Sequence, residues 1–417
     1  MSNPMTLTVY PASHSNQRTE WRLNQARGYT NLRLAGLGAV TTGAGAQWCD
    51  PTGVYGLFGR VALVNGSDVL DEVQDAFTWL SFSQLRRGGA DKDNGLDYSL
   101  YSQLSGSSRS YALDQIGGTR ISHLSPRAGS ATQDASTTFQ GWIHVNALLG
   151  LLSQLPILDT NVFPELRLVV EWRSSPASAL FMGDASAVTS VTVLAPLLLA
   201  DTISDAEMPS QAAVPPAVTW NRLLLEKIML PGGADPGGAN TTTVDTRVRL
   251  LAASGRMINR VVLLNVAKSL REGSVVAKDR LKGQGSDALE HEVIQLVADG
   301  QNVLPFSGVD TPARKLAQLW SSWGTMTQPM ASNLVISTSA NGAIWSPLFD
   351  DADAGAAVGR QSFGGVTLAR RVSELQLIHQ RQLTSVRYAD NIQLNLYYEA
   401  GQVMSFTRGG GYIITFA

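Results

Sequence analysis

The sequence predicts an all-β protein, two tandem eight-stranded antiparallel sandwiches with a few short helices in the connecting loops. Three observations predict it. Segments in which apolar and polar residues alternate every second position recur along the whole chain, the pattern of strands with one buried face. At 417 residues the chain is long enough for two ordinary hydrophobic cores. Near its midpoint the stretch Ala200 to Pro216, ADTISDAEMPSQAAVPP, breaks all periodicity and ends in a proline pair, so it reads as a linker. These observations predict an N-terminal arm over 1–28, a first sandwich over 29–200, a linker over 201–216 and a second sandwich over 217–417.

The first strands are expected at 29–35 and 55–64. The second ends at Asn65-Gly66, a dipeptide that supplies the positive φ angles of a type I′ turn, and the chain should return through Val69 and Leu70. Asp75 is placed to cap a helix through Phe77, Leu80 and Leu85 that stops at Gly88-Gly89. Strands at 108–113, 119–124 and 137–145 follow. Asn146 then caps a second helix whose Leu148, Leu151, Leu152 and Leu155 share one face, and Pro156 ends it. Further strands are expected at 166–172 and 188–198, and beyond the linker at 220–230, 244–250 and 257–266. A third helix begins with Thr311 as cap and Pro312 in its first turn, and Leu316, Leu319, Trp320 and Trp323 form its apolar stripe before Gly324. The chain closes with strands at 333–338, 363–370 and 391–399 and a pair within 402–416 turning at Gly409-Gly410-Gly411. A strand pair followed by a helix therefore occurs in each half, at 55–87 and at 257–323, a repeat of architecture without evident sequence identity.

Composition narrows the function. Residues are 44% hydrophobic and 16% charged, against roughly 25% charged in ordinary soluble domains, so much of the surface is expected to be covered by neighbours. Lys and Arg total 32 against 34 Asp and Glu, and no basic run stands at either end, which argues against an arm that wraps nucleic acid and against direct sequence-specific nucleic-acid binding. A single cysteine, Cys49, excludes an intrachain disulfide framework. No stretch reaches the ~18 apolar residues of a membrane span, and the opening MSNPMTLTVYPASHSNQRTEW lacks the blocks of a secretory signal, so the chain is expected to be made in the cytosol.

A search for chemistry predicts no catalytic, cofactor-binding or metal-binding residues. His14, His123, His144, His291 and His379 are scattered and form no compact ligand set. Asp350, Asp351 and Asp353 with Gly355 come closest to a calcium loop, but lack the spacing and closing glutamate, and a solvated acidic turn is the simpler reading. GGADPGG, within 231–240, lacks the lysine and hydroxyl of a phosphate cradle, and with 87–94 and 350–359 it reads as a surface loop. Trp21, Trp48, Trp142, Trp172, Trp220 and Trp345 are too dispersed to stack bases and read as core or interface. Arg18, Arg22 and Arg27 in the N-terminal segment suit lipid headgroups or a neighbouring subunit, with a frayed terminus as the plainer alternative.

Residues 137–172, strand TTFQGWIHV, helix NALLGLLSQL, loop PILDTNVFPE and strand LRLVVEW, resemble the strand–helix–strand segment of the first jelly roll in double jelly-roll major capsid proteins. That lineage includes tectivirus coats, virophage coats and the adenovirus hexon. LRLAG at 32–36 with GVYGLFGRVALVNGSDVLDEV at 53–73 looks like its opening strands and hairpin, and NIQLNLYYEAGQVMSFTRGGGYIITF is similar to its closing strands. The resemblance implies a non-enzymatic shell subunit, a homotrimer of pseudo-hexagonal outline that tiles an icosahedral capsid, often above an internal membrane and beside a vertex protein. It implies a location in the virion after synthesis in the host cytoplasm. Two other functions stay open at this stage: a carbohydrate-binding or carbohydrate-degrading sandwich, such as a phage receptor-binding module, and a minor capsid or vertex protein.

Overall fold

The computed structural model describes residues 5–37, 39–42, 46–48, 57–79, 142–155, 157–173, 181–183, 190–204, 206, 208, 216–230, 242–266, 292–304, 308, 318, 321–322, 366–383, 392–407 and 410–417. The strands expected at 108–113, 119–124 and 333–338, the three surface loops, Cys49, His123, His291 and the Asp350–Asp353 cluster lie outside them. The described residues form two compact units: those up to 79, from 142 to 223 and from 401 onward belong to the first, and those from 224 to 400 to the second.

The first unit carries two five-stranded sheets. One has the order β1 (Met5–Val9), β14 (Leu197–Ile203), β4 (Gly28–Ala35) and β10 (Leu158–Asp159), with β9 (Trp142–His144) also on β4. The other runs β2 (Ser13–His14), β3 (Arg18–Arg22), β11 (Leu166–Trp172), β7 (Phe58–Asn65) and β8 (Asp68–Gln74). Two ribbons, β5 (Ala39–Thr42) with β13 (Ser190–Val193) and β6 (Ala46–Trp48) with β12 (Phe181–Gly183), extend it. Every pairing is antiparallel, and partners such as β1 with β14 are far apart in sequence, as in Greek-key wrapping. The inner faces carry Trp21, Tyr29, Leu34, Val61, Leu63, Leu168, Val170 and Leu198, all buried. The indole N–H of Trp21 on β3 donates to the Pro196 carbonyl at 3.2 Å, bonding one sheet to the approach of β14 in the other.

The second unit has one sheet of order β15 (Ala217–Leu230), β22 (Ile392–Phe406), β17 (Arg256–Val266) and β20 (Val366–Val372), with β23 (Tyr412–Phe416) also on β22. Residues 217–223 and 401–406 of the long strands, and β23, belong to the first unit. The facing sheet runs β16 (Thr242–Arg249), β21 (Leu375–Leu383), β18 (Glu292–Ala298) and β19 (Gln301–Asn302). Ile258, Val261 and Leu263 of β17 and Leu394 and Leu396 of β22 meet Ile294, Leu296, Leu375 and Leu377 in one core. This is sheet-on-sheet packing of the inner sets of alternating side chains.

Several local expectations are corrected. The segment read as an N-terminal arm supplies β1, β2 and β3: β1 pairs with β14 over five positions, and β3 with β11 over five. The alternation of Thr19 and Trp21 with Arg18, Glu20 and Arg22 was the missed signal. The hairpin after β7 turns at Gly66-Ser67 and not at Asn65-Gly66. Asn65 pairs with Asp68, and of the turn residues only Gly66 has a positive φ, 59°. The stretch 188–198 is split between β13 and β14 around Pro196, which has no N–H to give a ladder. The helix expected from Asn146 begins later, at Gly150–Gln154, after a 3-10 turn at Val145–Ala147. Residues 76–79 are helical after Asp75, and so are the described positions Gln318, Ser321 and Ser322 of the third expected helix.

Candidate functional site: a polar seam on the first sandwich

Strand β8 reads DVLDEVQ, and its neighbours Asp71 and Glu72 necessarily point to opposite faces. Both are buried. Asp71 Oδ1 accepts the Glu72 N–H at 2.9 Å, and Oδ2 accepts the Leu151 N–H at 2.8 Å. Leu149, at the N-cap of the helix Gly150–Gln154, gives no side-chain cap, so a carboxylate from a distant strand satisfies an N–H that the helix leaves open. Burial pushes the Asp71 carboxyl up to about 6, although its bonds to Leu151 and Glu72 and the charge of Arg222 pull it down.

Glu72 is held differently. Its Oε2 accepts from Arg60 at 2.7 Å and its Oε1 from Arg222 at 2.8 Å and from Gln74 at 3.1 Å. Burial raises its pKa, but the two guanidiniums outweigh that and hold it below the ordinary carboxylate value. Arg60 reaches on to Glu171 at 2.9 Å, so the cluster spans β7, β8, β11 and β15.

The same seam receives the start of β15. A Cβ on Gly150 would lie 2.8 Å from the Asn221 carbonyl oxygen, so only glycine lets the helix approach this strand so closely. Trp220 is buried beside it, and its indole N–H faces Asp71 but closes no hydrogen bond of ordinary geometry. Arg222 Nε and Gln402 Oε1 are likewise buried without a partner. The Phe406 N–H bonds the Pro216 carbonyl at 3.1 Å, and regular antiparallel continuation sets Gln402 opposite Trp220.

The last strand is fastened to the β7–β8 turn. Tyr412 donates its hydroxyl to Asp68 Oδ2 at 3.1 Å and accepts from Asn65 Nδ2 at 3.0 Å, while its ring lies 5.1 Å from that of Phe163. Asn65 also accepts the Glu165 N–H at 2.9 Å, so the strand residue that sequence placed in the turn is a junction of three segments.

A second node joins β1, β4 and β14. Asp201 accepts from Thr6 and Asn31, both at 2.7 Å, and from Arg33. Asn31, at φ 51°, lies in the bulge of β4, where Asn31 and Leu32 stand against the single residue Ala200 between Leu199 and Asp201. Burial raises the Asp201 pKa, but Thr6, Asn31 and Arg33 more than reverse it, and the carboxyl stays below its ordinary value. In the second unit Glu226 accepts from the N–H groups of Leu251 and Ala252 at 3.3 Å and from the buried Tyr398 hydroxyl at 3.0 Å.

The residues that sequence singled out are not brought together. His14 bonds Thr19 and the Val193 carbonyl, His144 bonds Asn31, and His379 is buried in β21. Arg27 pairs with Asp159 at 2.8 Å; Arg18 and Arg22 flank Glu20, at 3.1 and 3.9 Å, and Arg167 joins them at 3.3 Å. A cleft of about 310 Å³ beside this group is lined by Arg22, Asn24, Pro164, Glu165, Leu166 and Arg167, and both of its guanidiniums turn to Glu20. No group of three or more potential metal ligands occurs among the described residues. What the seam does chemically is clamp: its carboxylates take guanidinium and backbone N–H donors from separate segments. Sequence reasoning missed Asp71, Glu72, Arg222 and Tyr412, although two adjacent acids inside an apolar strand were a readable sign that one of them is buried.

No protein-family model and no curated protein matches the sequence. Solved structures do match its fold. PBCV-1 VP54, in the crystal structure fitted into a reconstruction of the virophage Sputnik, is 13% identical, with 100% of this chain and 98% of that one covered at a TM-score of 0.55. The mavirus major capsid protein is 10% identical, with 99% and 90% covered at 0.52. A chain of the Sputnik virophage structure is 9% identical, with 100% and 89% covered at 0.51. The chain therefore has the double jelly-roll fold of the mavirus major capsid protein, over essentially its whole length.

Proposed function

We propose that the chain is a structural shell subunit and not an enzyme: a major capsid protein that associates with itself as pseudo-hexagonal trimers and builds an icosahedral virus shell. One observation carries this reading, the likeness to the mavirus major capsid protein across 99% of this chain and 90% of that one. The chemistry of the described residues supports it, since their buried carboxylates are engaged in holding strands together. Low charge supports it as well, as do the exposed Met5, Tyr10, Leu251 and Ile413, which suit a surface covered by other copies. In this reading the first jelly roll runs from the strands of the first 28 residues through β14 to Ile203 and is completed by 217–223 and 401–417, the second takes 224–400, and the linker expected at 201–216 is shortened to 204–216. Its partners are other copies of the chain, a vertex protein and an internal membrane, and its place is the virion after synthesis in the host cytoplasm.

The test is the state of the purified chain by light scattering and native mass spectrometry, followed by electron microscopy of the assembled material. A trimer burying more than about 2,000 Å² per interface supports the proposal. A monomer at micromolar concentration that forms no shells overturns it. Release of sugar from a glycan substrate would favour the carbohydrate-acting alternative instead.

A further inference from the structure

We propose that Asp71 is a proton-operated latch of the seam: taking up a proton at mildly acidic pH tightens the attachment of the helix Gly150–Gln154 and the start of β15 to the first sandwich. This goes beyond the shell-subunit reading and does not depend on it. The geometry is that of a joint. Asp71 is 1% exposed and stands on β8, its Oδ2 holds the Leu151 N–H of the helix, and Trp220 and Arg222 of β15 face it. The helix in turn lies so close to β15 that a Cβ at Gly150 would strike the Asn221 carbonyl.

The charges around Asp71 make it the odd member of the cluster. Arg222 of β15 is the charge that acts on Asp71; Glu72 points to the other face of β8, where Arg60 of β7 joins it to Glu171 of β11, and the helix sequence GLLSQ brings no charge. Arg60 and Arg222 both give their side-chain bonds to Glu72, and Arg60 also to Glu171. Glu72 is thus a carboxylate with two guanidinium partners, and Asp71 is a buried one with none in hydrogen-bond contact. Burial disfavours its charged form, which is why its pKa is pushed up to about 6. A proton removes that cost and leaves an oxygen to accept the Leu151 N–H.

The sign follows from linkage. A carboxyl with a folded-state pKa of about 6 and an unfolded one near 4 binds more protons in the folded state between those values. The group therefore weakens the folded seam above pH 6, and the weakening disappears as pH falls. Between pH 7.5 and 5.0 the folding equilibrium gains roughly tenfold from Asp71 alone. Glu72 and Asp201 act in the opposite direction, but only nearer pH 4 and below, because they are held under their ordinary values.

The experiment compares urea unfolding of the full chain and of Asp71→Asn at pH 7.5 and 5.0. Differencing the two proteins removes the contribution of the histidines. The proposal expects the wild-type equilibrium to gain roughly tenfold more than the variant on acidification. An equal pH dependence in both overturns it. Should the variant fail to fold, hydrogen exchange of peptides covering 149–155 in the wild type decides. After correction for the intrinsic rate, protection must rise as pH falls from 7.5 to 5.0, and unchanged or falling protection overturns the latch.

Discussion

At the scale of single residues, contact distances make specific demands. Gly150→Ala would push a methyl group against the Asn221 carbonyl, a backbone atom with no rotamer to change. It should destabilise the first unit by about 1–3 kcal/mol, read as a lower urea midpoint. Ser153→Ala, on the exposed side of the same helix, should change it by under about 0.5 kcal/mol. Asp201 makes a demand of another kind. Its pKa is held below the ordinary value, so the stability it contributes is present above the unfolded pKa near 4 and is lost as pH falls through its folded pKa. Asp201→Asn should therefore be less stable than wild type at pH 7 and lose less on acidification below about pH 4, as followed by circular dichroism in an acid titration. Neither residue was legible beforehand, because a glycine in an apolar helix and an aspartate before a polar stretch look ordinary until the segment each one meets is known.

At the scale of elements, legibility divides cleanly. Strands with one dry face were visible: β4, β7, β11, β17 and the first part of β22 occupy the stretches that alternation marked. Strands whose alternation is short or interrupted were not. LQLIHQRQL of β21 is flanked on both sides, by β16 and β18, yet its alternation fails at Ile378 and runs into the four consecutive polar residues His379 to Gln382, so it passes for a loop or helix. The arm became β1 and β3 for a like reason, since each is only five residues long, and the ladders that hold them run to β14 and β11. The junction at Tyr412 belongs to this scale, and Tyr412→Phe removes its bonds to Asn65 and Asp68 while keeping the ring against Phe163. Loss of two partly exposed hydrogen bonds should cost about 1–2 kcal/mol, with faster amide exchange confined to 412–416 while β17 keeps its protection.

For the whole molecule, sequence supplied the class, the fold of two sandwiches and the resemblance that the solved structures support, because those rest on many weak regularities acting together. It did not supply the seam, which depends on which polar groups meet after the chain has wrapped. Strand β23 and residues 401–406, translated after the whole of the second unit, belong to a unit whose other members all lie before residue 224. A nascent chain leaving the ribosome therefore carries its first sandwich with the sockets at Asn65 and Asp68 still empty, through the synthesis of nearly half the protein. Pulse-labelled chains halted at residue 400 should be cut by protease within the first unit faster than released full-length chains. Completion of the first unit thus waits on synthesis of the second, and a chain cut short before Tyr412 lacks the tyrosine that closes it.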